Sequence, residues 1–106
     1  MAGEFISVKG VNYGQLGMTK AISDIVESDI RFETDVRICT GRYAFDDWGD
    51  IEQEGKEANE NALQCGDLKL LAKYATSQGN IYFITEGDRT STTILFCHEY
   101  QECKED

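Results

Sequence analysis

Residues 50–76 read DIEQEGKEANENALQCGDLKLLAKYAT, and the spacing of their apolar residues changes part-way along. Up to Cys65, the residues Ile51, Gly55, Ala58, Ala62 and Cys65 recur three or four apart, the period of a helix face. The stripe is narrow and made of small residues, so the helix is expected to lie close against a sheet. Asp50 and Gln53 form a capping-box-like pair at its start, and Gly66 supplies its stop. Beyond Gly66 the period drops to two: Leu68, Leu70, Ala72 and Tyr74 fall on one face, with Lys69 and Lys73 on the other. The chain passes from helix to sheet at Gly66.

Working outward, SQGN (77–80) is a turn, IYFITE (81–86) a second strand rich in aromatic and β-branched residues, GDRTS (87–91) another turn, and TTILF (92–96) a third strand. Upstream, SDIRFETDVRICTGRY (28–43) places Phe32, Val36, Cys39 and Tyr43 on one helix face, with Ser28 or Asp29 as its cap. Before it, Thr19 can cap a short helix carrying Ile22, Ile25 and Val26. Helices first and strands afterwards predict an α+β domain: two to three N-terminal helices packed on one face of a three-stranded antiparallel β-meander. Residues 1–17 hold four glycines and read as a peripheral extension, within which Phe5 to Val8 can add a short strand. The single domain is then 18–100, and 101–106 an acidic tail.

At 106 residues and 41% hydrophobic composition, the chain has enough apolar surface for one modest core. No apolar run approaches the roughly 20 residues of a membrane span, and no leader pattern is evident, so a cytoplasmic protein is expected. Twenty acids against ten bases leave a formal charge of -10. Such a surface repels phosphate, because nucleic-acid binding relies on Lys and Arg displacing counterions. It suits a protein partner with a basic surface. The densest run is Asp46 to Glu60, with seven acids (Asp46, Asp47, Asp50, Glu52, Glu54, Glu57, Glu60) against Lys56.

Catalytic chemistry has little to start from. The four cysteines, at 39, 65, 97 and 103, lack the close pairs of a zinc site and read as reduced thiols, Cys103 as an exposed one in the tail. His98 is the sole histidine and follows Cys97 directly, which on a strand would send the two side chains to opposite faces. No phosphate-cradling glycine loop is present, and no cofactor is expected. A cation held by Asp47, Asp50, Glu86 and Asp88 is the remaining enzymatic alternative, since hard cations take oxygen ligands. In the turn TEGDRTST, Gly87 and Asp88 suit the bend, and Arg89 can pair with Glu86 or with a carboxylate of the acidic loop.

DWGD (47–50), Asn59, Ala62-Leu63, AKY (72–74), ITEGDR (84–89), TTIL (92–95) and Glu99-Tyr100 together resemble a family of small bacterial proteins encoded on plasmids, phages and integrative elements. The resemblance spans Thr19 to Tyr100 and departs from the family at Gly87, where a larger residue is more usual. The family has no settled activity, so no catalytic residue is carried over. What the resemblance implies is context: small acidic proteins of mobile elements often bind host defence machinery, as anti-CRISPR or antirestriction factors do. The expected function is therefore a non-enzymatic inhibitor, monomer or homodimer, that meets a basic protein surface. The expected contact residues are Asp46, Asp47, Asp50, Glu54, Glu57, Glu60, Glu86, Asp88 and Arg89. A self-associating antitoxin-like regulator, joined through an exposed strand edge, is the other alternative.

Overall fold

The computed structural model describes residues 13–66 and 68–100. Strand β1 (Gln15–Met18) leads into helices α1 (Lys20–Ser28), α2 (Ile30–Ala44) and α3 (Gln53–Cys65). Strands β2 (Leu70–Thr76), β3 (Gly79–Thr85) and β4 (Ser91–Phe96) follow, and a 3-10 turn, Cys97–Glu99, closes the described chain. The protein is α+β. The meander β2-β3-β4 is antiparallel as expected, but the sheet has four strands in the order β1-β4-β3-β2 and is mixed, because β1 runs parallel to β4.

This corrects the three-stranded expectation. A boundary at residue 17 would cut through β1, and Tyr13 is fully buried in the core. Gly14 takes φ +74° and lies so close to the Thr90 and Ser91 backbone that no Cβ fits. The glycine lets the chain enter the sheet. The suggested strand at Phe5 to Val8, the acidic tail and Cys103 all lie outside the described residues.

Helix starts follow side-chain chemistry. The Thr19 hydroxyl accepts from the Ile22 N–H, and the Asp29 carboxylate from the Arg31 and Phe32 N–H groups, each satisfying donors that a helix start leaves free. Phe32, Val36, Cys39 and Tyr43 are all buried, so the 3.6 period of α2 reports its core face faithfully. That face and Ile22 of α1 pack with alternate residues of the strands: Leu70, Ala72 and Tyr74 of β2, Ile81 and Phe83 of β3, Ile94 and Phe96 of β4. Leu68 stands before β2 and is 47% exposed. The Phe83 ring is met by Tyr43 at 5.1 Å and by Tyr74 at 5.3 Å, and Trp48 meets the Tyr43 edge at 5.7 Å.

One polar line crosses this core. The Tyr43 hydroxyl bonds Thr85 Oγ1 at 2.5 Å, Thr85 bonds Thr92 at 2.7 Å, and Thr92 Oγ1 donates to the Tyr13 carbonyl at 2.7 Å. Burial pushes the Tyr43 phenol well above the ordinary range, so it stays protonated. Every buried hydroxyl on the line has a partner, the condition for keeping polar groups in a core.

Helix α3 differs from its sequence reading. It starts at Gln53 with Glu52 at the cap position and no side-chain cap bond; Asp50 does not cap it. Asp50 is held elsewhere, its N–H donating to the Lys73 carbonyl at 2.7 Å. Ala58 and Cys65 are exposed, and the buried residues of α3 are Asn59 and Ala62. The reason is placement: α3 lies along the free edge of β2, where the neighbour is unpaired backbone rather than an apolar sheet face. Gly66 ends the helix in the left-handed conformation, φ +84°, as expected.

Candidate functional site

The motif residues are mostly structural ties. At the β2 edge, Asn59 Nδ2 donates to the Leu71 carbonyl (2.7 Å) while its Oδ1 accepts from the Leu71 N–H (3.1 Å). One step along, the Lys73 N–H donates to the Trp48 carbonyl and the Lys73 carbonyl accepts from the Asp50 N–H. A Cβ at Gly49, φ +74°, would overlap the Lys73 carbonyl, so the close approach requires glycine. Two outward-facing residues of β2 are thereby hydrogen-bonded, which covers an edge that would otherwise accept another strand.

The nearby acids divide by role. Asp47 is paired with Arg42, its oxygens lying 2.8 Å from Nε and 3.2 Å from Nη2, and the Asp47 carbonyl accepts from the Tyr74 hydroxyl at 2.6 Å. Arg42 holds the Asp47 carboxyl below the usual carboxylate range. Asp46, at φ +64°, accepts from the Tyr13 hydroxyl at 2.8 Å. Glu60 accepts from the Trp48 indole N–H at 3.0 Å. These three expected contact residues are engaged within the fold.

Arg89 is engaged too. Its Nη1 donates to the carbonyls of Leu68 (2.7 Å), Glu86 and Gly87 (both 3.2 Å), and Nη2 to that of Ala62 (3.1 Å). The expected pairing with Glu86 or the acidic loop is replaced by backbone carbonyls, which include the C-terminal turn of α3. A planar fork of donors suits several carbonyls at once. Arg89 takes φ +62° to reach them. The hairpin tip is therefore pinned to the α3–β2 connection. Asp88 accepts from the Thr90 N–H and hydroxyl, which hold its carboxyl below the usual range.

What remains outside the ion pairs is a ridge at the N-terminal half of α3, where Glu57 accepts only from the neighbouring Gln53 side chain at 3.4 Å. Asp50, Glu52, Glu54 and Glu57 are exposed, and no ion pair among the described residues reaches them. Beside it lies a cleft of about 290 Å³ that Asp50, Glu52 and Glu54 share with Leu71, Lys73 and Tyr82 of the outer sheet face. Glu86 and Asp88 line a separate open cleft of about 390 Å³ with Gly66, Gly87 and Thr90, at the other end of the helix. The thirteen residues of α3 put the two ends about 20 Å apart. Lys73 and Tyr82 were not among the expected residues; for Lys73 the signal was its place on the polar side of the period-two pattern of 68–74.

Among the described residues, no three His, Cys, Asp or Glu side chains come together around a metal-sized space, so Asp47, Asp50, Glu86 and Asp88 are not united. Burial pushes the Cys39 thiol up to about 11, which leaves it a poor nucleophile. Cys97 and His98 stand on the 3-10 turn, not on a strand, and the His98 ring stacks on Phe96 at 5.2 Å. No described helix is long and apolar enough to cross a membrane. A comparison with protein-family models, curated proteins and solved structures finds no match to this chain.

Proposed function

We propose that the protein is a non-enzymatic, cytoplasmic binding module whose acidic ridge, Asp50, Glu52, Glu54 and Glu57, docks on a basic surface of a protein partner. The observation that carries this reading is that these four carboxylates are exposed together and take part in no ion pair among the described residues. The adjoining cleft adds shape: a partner Lys or Arg lays its aliphatic stem against Leu71 and Tyr82 and sets its charge among the three carboxylates. The motif resemblance supplies the biological setting, a mobile element whose product inhibits host defence machinery by covering a nucleic-acid-binding surface.

The test is capture of partners from a bacterial lysate with the wild type and with an Asp50→Lys, Glu54→Lys, Glu57→Lys variant. Glu60 is left in place because it holds Trp48. The captured partner is expected to bind the variant at least tenfold more weakly, and to be released as salt rises from about 0.1 to about 0.5 M, where screening shortens the reach of charge. Equal binding by both proteins, or indifference to salt, refutes the reading.

A further inference from the structure

We draw no further inference here: the strongest candidate, the outer edge of strand β1, which among the described strands pairs only with β4 and stands at the margin of the sheet opposite β2, is an unpartnered strand edge, and nothing in the structure shows what covers it.

Discussion

Replacing Asn59 with Asp isolates one hydrogen bond at the covered edge of β2. Asn59 is 3% exposed, and its carboxamide donates to the Leu71 carbonyl at 2.7 Å while accepting from the Leu71 N–H at 3.1 Å. A protonated carboxylic acid can do both. A carboxylate still accepts from the N–H, but it turns a lone pair towards the Leu71 carbonyl. The loss is one hydrogen bond, about 1 kcal/mol, plus about 1–3 kcal/mol for a carbonyl left without its donor, or about 2–4 kcal/mol in all.

At about 1.4 kcal/mol per unit, that raises the folded-state pKa of the introduced Asp by roughly two units, from about 4 to about 6. A raised folded pKa means that stability is retained below about pH 4 and is lost as pH climbs through about 6. For a domain of this size the variant should melt about 10–20 °C below the wild type at pH 7. At pH 4 the two should lie within a few degrees. The assay is paired thermal denaturation of both proteins at each pH, so that the titration of the other carboxylates cancels in the difference. A gap under about 3 °C at pH 7, or one that does not change with pH, refutes the role assigned to Asn59.

Two further outcomes follow from the same geometry. Arg89→Ala should cost about 2–3 kcal/mol, since four carbonyls lose a charged donor. Hydrogen exchange should quicken at both the hairpin tip and the last turn of α3; quickening at the tip alone would show that the tie across to Ala62 carries no weight. The Arg42–Asp47 pair, which keeps the Asp47 carboxyl below its ordinary range, should stabilise the fold above about pH 4 and lose that effect as pH falls further. Both side chains are well exposed, so the Tm advantage over Asp47→Asn at pH 6 should be worth no more than about 1 kcal/mol, and it should vanish near pH 2.

Much of the fold was legible because local chemistry and tertiary placement agree. The α2 stripe, the caps at Thr19 and Asp29, the stop at Gly66 and the period-two runs of β2 to β4 each depend on near neighbours in the chain. The misread elements depend on what arrives from far away. Asn59 reads as a solvated polar residue until β2 is laid beside it. Asp50 has the spacing of a cap, but its N–H is claimed by Lys73, twenty-three positions on. β1 is short and glycine-flanked, and only its partner β4 makes it a strand. For the candidate site, the sequence located the carboxylates, and the structure divides them into those engaged by Arg42, Tyr13 and Trp48 and those that are exposed and in no ion pair among the described residues.

The pairing of β1 with β4 bears on how the chain is made. Tyr13 and Thr92, joined by a hydrogen bond, are separated by 79 positions, and Glu99 reaches back 80 positions to Thr19. A nascent chain must therefore hold its early segment unclosed while the ribosome delivers almost everything described here. Because late, long-range pairing of this kind slows assembly, a stall before β4 emerges would leave apolar side chains of α1 and α2 without their cover, at the mercy of chaperones and proteases.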